Sequence, residues 1–151
     1  MHPDMFSTFE DIAGDLAPNS GNKAQTIARL FGGNAAAYAA FDPTTVISRH
    51  GRYVGITGWF DINGSAPTPG HKSANPGGQM AAADSLCALG DANGIKCAIV
   101  TQPGKHDWPF AAQAFAVALP WLAGQLGTPG IRPVPMPEPP TSAPIEQAAA
   151  R

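Results

Sequence analysis

Apolar residues recur over most of the chain in two alternating patterns, short strand-like runs and longer helix-like stripes. The strand-like runs are rich in aromatic and β-branched residues and span 6–12, 53–60 and 95–101. Apolar residues at helical spacing predict helices over 22–31, 35–41, 79–89 and 109–126. Strands that alternate with helices indicate an α/β domain with a mostly parallel sheet flanked by helices.

The run 53–60 (YVGITGWF) is the strongest strand signal, because its apolar residues are nearly continuous, as in a strand covered on both faces. Residues 61–64 (DING) have turn chemistry, so we expect this strand to end at Phe60. The last helix is expected to cover one face of the sheet with Phe110, Phe115, Leu119 and Leu122.

Proline dominates the end of the chain. Seven prolines between Pro129 and Pro144 exclude a helix or a central strand there. We therefore divide the chain into a domain over 1–128 and an extended, Pro-rich tail over 129–151.

Charge is sparse and nearly balanced. Charged residues make up 13% of the chain and the net charge is −2, so no basic stripe is present for nucleic acid or an anionic membrane surface. The first four residues are polar and resemble no secretory signal. The apolar stretch 108–126 is interrupted by prolines and glutamines, which favours a buried helix over a membrane span.

Cys87 and Cys97 are ten residues apart and match no zinc-binding pattern. We expect two small buried thiols, with a disulfide as the alternative in an oxidising compartment. No paired-carboxylate or His-x-x-x-His spacing indicates a metal, and we expect no cofactor.

Candidate chemistry follows the strand-like runs, where the carboxyl ends of parallel strands meet. Glu10 and Asp11 end the first run, Asp61 follows the second and His106 follows the third. A carboxylate there can hold an imidazole in one tautomer and stabilise its protonated form. The alternatives are a turn residue for Asp61 and, for His106, a loop histidine that caps the following helix.

Other polar and aromatic positions have simpler interpretations. Asp107 is expected to cap the last helix, and His50 and His71 are expected in solvated loops. Trp59 and Trp108 are candidates for an acyl pocket, with core packing as the alternative.

The segment 104–110 (GKHDWPF), followed by 114–115 and 119–122, resembles the end of an esterase-type α/β hydrolase. The subgroup that it resembles is actinobacterial and related to the antigen 85 mycolyltransferases. In that family a Gly-x-His-x-Trp loop carries the base of the catalytic triad ahead of a long terminal helix, which implies this role for His106. Residues 2–6 (HPDMF) resemble the family's link from the nucleophile helix to the next strand.

The resemblance also implies that 53–60 is the strand whose end supplies the triad acid, here Asp61. The stretch 65–78 contains no other Asp or Glu, and Asp84 is the nearest alternative.

The nucleophile elbow Gly-x-Ser-x-Gly of such enzymes is absent. None of the serines stands in this pattern: Ser7, Ser20, Ser48, Ser65, Ser73, Ser85 and Ser142. In the family the elbow and the oxyanion-hole loop precede the position of His2. We therefore interpret 1–128 as the C-terminal part of an α/β-hydrolase fold that lacks the N-terminal strands and the nucleophile elbow.

This interpretation implies an acyl ester substrate for the parent enzyme and no turnover by this chain alone. An incomplete sheet implies pairing with a missing N-terminal half or self-association. Relatives of this kind are mostly exported or bound to the cell envelope. The alternatives are a non-catalytic binding or scaffolding module derived from a hydrolase and a fragment without retained function.

Overall fold

The computed structural model of the protein describes residues 5–14, 23–64 and 76–137. These residues form three strands, β1 (Thr8–Ile12), β2 (Ile56–Asn63) and β3 (Ile95–Gln102). The helices in the same ranges are α1 (Lys23–Phe31), α2 (Ala35–Ala39), α3 (Pro43–His50), α4 (Pro76–Ala92) and α5 (Trp108–Gln125).

The strands form one parallel sheet in the order β1-β2-β3. Helices flank this sheet, so the α/β class and the parallel sheet expected from the sequence are confirmed. Consecutive residues of a strand point to opposite faces, which gives the sheet two differently packed faces. On the α4 face, Phe60 and Ile62 pack against Ala83 and Leu86 of α4. On the α5 face, Trp59 packs against Ala118 and Trp121 of α5.

The central strand is longer at its carboxyl end than the sequence indicates. We expected a turn at 61–64, but Asp61, Ile62 and Asn63 are the last residues of β2. They pair in register with residues 100–102 of β3. The hydrogen bonds of this ladder override the local turn preference, and the prediction that the strand ends at Phe60 is wrong.

Helix α3 was not predicted. Asp42 is its N-cap and accepts a hydrogen bond from the Thr45 N–H at 3.1 Å, while Pro43 occupies the first turn. Proline is favoured there because its missing N–H would have no partner inside the helix. His50 is therefore the last residue of a helix, and the loop placement expected for it is wrong.

Helix α5 covers its sheet face with different residues from those expected. The buried stripe is Phe110, Ala114, Ala118 and Trp121. Phe115 and Leu119 are each 47% exposed, so their predicted burial is wrong. Two alanines in the stripe bring the helix close to the sheet, and the large Trp59 and Trp121 rings fill the remaining space, with centroids 5.3 Å apart.

Cys87 of α4 and Cys97 of β3 form a disulfide, with their Cα atoms 5.7 Å apart. The expectation of two free thiols is wrong, because the helix and the strand that it covers bring the two side chains together on the α4 face.

Residues 131–137 have neither helix nor strand, as the prolines predict. This part is not simply solvated, because Met136 packs against the cluster of Trp59, Ala118 and Trp121. Residues 138–151 of the predicted tail lie outside the described ranges. In the part of the chain that is described, no helix has the length and apolar character needed to cross a membrane.

Candidate functional site

Asp61 lies on the α5 face near the carboxyl end of β2 and is completely buried. Its Oδ1 atom accepts a hydrogen bond from Nε2 of Gln102, the last residue of β3, at 2.6 Å. Oε1 of Gln102 in turn accepts from Nε2 of Gln113 in α5 at 3.3 Å. This polar chain, Asp61–Gln102–Gln113, joins two strands to the helix that covers them.

Glu10 of β1 adds a second carboxyl group to the polar chain. Burial, and with it the nearby negative charge of Asp61, raises the pKa of Glu10 to about 7. Burial also raises the pKa of Asp61, against the hydrogen bond from Gln102, which lowers it. The indole N–H of Trp59 also favours the ionised Asp61, although its geometry does not complete a hydrogen bond.

His106 lies in the loop between β3 and α5, and its side chain is exposed. It lines a cavity of about 590 Å³ together with Ile12 and Ala13 at the carboxyl end of β1. Trp108, which is 88% exposed, borders the same cavity, whereas Trp59 is buried against Trp121. Of the two tryptophans considered for a pocket, only Trp108 adjoins this cavity.

The loop that carries His106 is held at both ends. The Asp107 side chain accepts from the Phe110 N–H at 3.0 Å, which confirms the predicted N-cap. Gly104 has a φ of +153°, and a Cβ atom there would lie 2.6 Å from Cδ2 of the buried Phe110 ring. A glycine is therefore required where the loop passes over Phe110.

The structure does not bring His106 and Asp61 into hydrogen-bond contact. Oδ1 of Asp61 accepts from Gln102, and its Oδ2 has no partner. Both residues nevertheless adjoin Ile12, which is the register partner of Asp61 and lines the cavity of His106. The two candidate residues thus lie near the same edge of the sheet, and their catalytic roles stay predictions.

The remaining candidates are dispersed. The His50 ring stacks on Tyr53 with centroids 4.0 Å apart, and Asp84 is exposed on α4. Asp11 accepts from the Gly14 N–H at 2.8 Å. His71 and the serines at 20, 65, 73 and 142 lie outside the described residues. Within the described ranges no group of three or more His, Cys, Asp or Glu side chains is arranged to hold a metal ion.

Sequence reasoning missed Gln102 and Gln113 altogether. The available signal was a glutamine at the end of an apolar strand and another on the otherwise apolar helix that follows. A polar side chain in such a place needs a partner, but the sequence does not tell which one.

The chain is similar to an uncharacterized protein of Corynebacterium glutamicum, with 30% identity over 132 residues. The match covers 83% of this chain and 28% of the relative, so this chain spans little more than a quarter of the relative's length. No family model matches the chain, and no solved structure matches it significantly.

Proposed function

We propose that this chain is the C-terminal portion of a serine esterase or acyltransferase of the α/β-hydrolase type. In this proposal His106 is the base of the catalytic triad and Asp61 its acid, and an acyl ester is the substrate of the complete enzyme. The chain contributes no elbow serine, so the nucleophile and the oxyanion hole come from an N-terminal half.

The observation that carries the proposal is the position of His106. The exposed imidazole, on the loop that follows β3, lines a cavity of about 590 Å³ at the carboxyl edge of a parallel sheet. Active sites of open α/β sheets lie at this edge. The Asp107 cap and the glycine at position 104 hold the loop in place, as a general base requires.

Asp61 is connected by hydrogen bonds to the strand before the His106 loop and to the helix after it, which supports its proposed role as the triad acid. Gln102 ends the strand before the loop, and Gln113 lies on the helix after it, so the polar chain from Asp61 holds both ends. A direct hydrogen bond from His106 to the carboxylate of Asp61 is the arrangement proposed for the complete enzyme, because a carboxylate has lone pairs for several donors.

Export of the parent enzyme is part of the same proposal. The resemblance implies it, and the Cys87–Cys97 disulfide supports it because disulfides persist in oxidising compartments.

A fluorophosphonate probe, which labels activated serines, tests the proposal. We expect no labelling of this chain alone. We expect labelling of a chimera in which this chain replaces the matching segment of the longer Corynebacterium protein. If the isolated chain were labelled stoichiometrically, and one Ser→Ala substitution removed the labelling, the proposal that this chain lacks the nucleophile would be contradicted. Absence of labelling in both the chimera and the intact relative would contradict the esterase assignment.

The second candidate is a non-catalytic binding module derived from a hydrolase. A largely apolar groove of about 510 Å³ favours it, lined by Phe6, Phe9, Phe41 and Tyr53 among others. Phe6 and Phe41 are mostly exposed beside the edge strand β1, which fits self-association with a second copy. Sedimentation equilibrium tests this self-association, because Phe41→Ser should abolish such a dimer; Phe41 does not line the His106 cavity.

A further inference from the structure

Two carboxyl groups lie side by side on the α5 face, and each keeps one buried oxygen without a partner. Glu10 is the register partner of Trp59, and Asp61 stands two residues further along β2, so the side chains share one face. The orphaned atoms are Glu10 Oε1 and Asp61 Oδ2. Two ionised carboxylates cannot satisfy each other because neither has a hydrogen to donate, whereas a carboxylic acid can donate to a carboxylate.

No positive charge pairs with these carboxyl groups in the described ranges. Helix α5, which covers them, contains no charged residue. Asp11, the other acidic residue of β1, points to the opposite face, and its charge raises the pKa of Asp61 further. The other described titratable groups on β3 and around α5 are all exposed: Lys96, Lys105, His106, Asp107 and Arg132.

We propose that Glu10 and Asp61 share one proton at neutral pH, and that this proton fastens the edge strand β1 to the polar chain Asp61–Gln102–Gln113 as a pH-sensitive latch. The Glu10 O–H donates to Oδ2 of Asp61, which supplies the partner that both orphaned oxygens lack. When Glu10 ionises, the proton passes to solvent water, and two like charges remain close together, one on the partly buried Glu10 and one on the buried Asp61. This inference does not depend on the proposed function.

The edge strand is the element that this repulsion displaces. In the described sheet β1 pairs with β2 alone, whereas β2 is held from both sides. The carboxyl end of β1 also contributes Ile12 and Ala13 to the cavity of His106. Loosening of β1 at raised pH therefore opens that cavity on one side.

The direction of the pH effect follows from the pKa of Glu10, which burial and the Asp61 charge raise from 4.5 to about 7. Between these two values the folded chain keeps a proton that the unfolded chain has released. The stabilisation is fully present below about pH 4.5, decreases as the pH rises through 7 and is absent above it. The pKa values of Asp61 and Asp11 are also raised by burial and act in the same direction.

The carboxyl ¹³C resonance of Glu10, followed by NMR across pH 3–9 in the full chain, tests the shared proton directly. We expect a titration midpoint near 7. A midpoint near 4.5, the value for a solvated glutamate, would overturn the proposal.

A matched pair of variants tests the latch. In the wild-type chain the logarithm of the unfolding constant should rise with pH between 5 and 6.5, because unfolding releases the proton of Glu10. Glu10→Gln removes this titrating group and keeps an N–H donor for Asp61 at every pH. The slope of that logarithm against pH should therefore fall by about one. Asp84→Asn, on the exposed side of α4, should retain the wild-type slope. A wild-type slope in Glu10→Gln would overturn the latch. If that variant does not fold, the Glu10 midpoint in the wild-type chain decides the question.

Discussion

The two faces of the sheet are built from different chemistry. On the α4 face, hydrocarbon side chains around Phe60 and Ile62 pack together, and a disulfide ties the helix to β3. The α5 face holds two carboxyl groups and two glutamines beside its tryptophan cluster. Buried polar groups cost free energy unless they are paired. We infer that apolar packing and a covalent bond stabilise the α4 face, whereas on the α5 face aromatic packing offsets the cost of holding polar groups near the cavity of His106.

The largest expected effect tests how far the α5 face depends on its aromatic packing. Trp121→Ala should lower the free energy of unfolding by about 3–5 kcal/mol, because it removes a buried ring from a tightly packed site. Urea denaturation measures this loss. Leu119→Ala on the same helix, where the side chain is half exposed, is the control and should cost less than about 1 kcal/mol. Equal losses in both variants would mean that α5 does not pack as described.

The disulfide gives the next largest effect, and it belongs to the α4 face. The bond closes a ten-residue separation, so its reduction should cost about 3 kcal/mol of stability through chain entropy. Denaturation with and without dithiothreitol measures this. A Cys87→Ala/Cys97→Ala double variant should not respond to the reductant. A wild-type chain that is equally stable in both conditions would show that the bond adds nothing to this face.

The smallest effect concerns the loop that carries His106. Asp107→Ala removes the N-cap of α5 and should cost about 1 kcal/mol. Asp107→Asn keeps an acceptor oxygen and should lose less than half of that. Thermal unfolding of both variants checks the order, and a loss as large in Asp107→Asn as in Asp107→Ala would exclude the capping role.

The sequence predicts the parts of this comparison that depend on local pattern. The strand–helix alternation and the capped start of α5 follow from spacing and from single residues such as Asp107. The central strand is recognisable because its apolar run is continuous, as expected for a strand buried on both faces.

The parts that the sequence does not predict depend on contacts between distant residues. The local sequence predicts a turn at Asp61, and only its pairing with β3 makes this residue part of a strand. The burial of Trp121 in place of Leu119 depends on how α5 packs against Trp59. The Gln102–Asp61 bond joins residues 41 positions apart. The raised pKa of Glu10 likewise requires a neighbouring strand and a covering helix, and neither is visible in its local sequence.

The central proposal is that His106 is the catalytic base of an acyl-ester hydrolase. Turnover of a p-nitrophenyl ester tests it most directly. The enzyme is the chimera of this chain with the rest of the Corynebacterium protein. We predict that His106→Ala lowers its kcat by about 10³-fold or more, as expected for loss of a triad base. We predict that His50→Ala, which alters an exposed histidine stacked on Tyr53, leaves kcat within about twofold. Turnover that survives His106→Ala unchanged would contradict the claim.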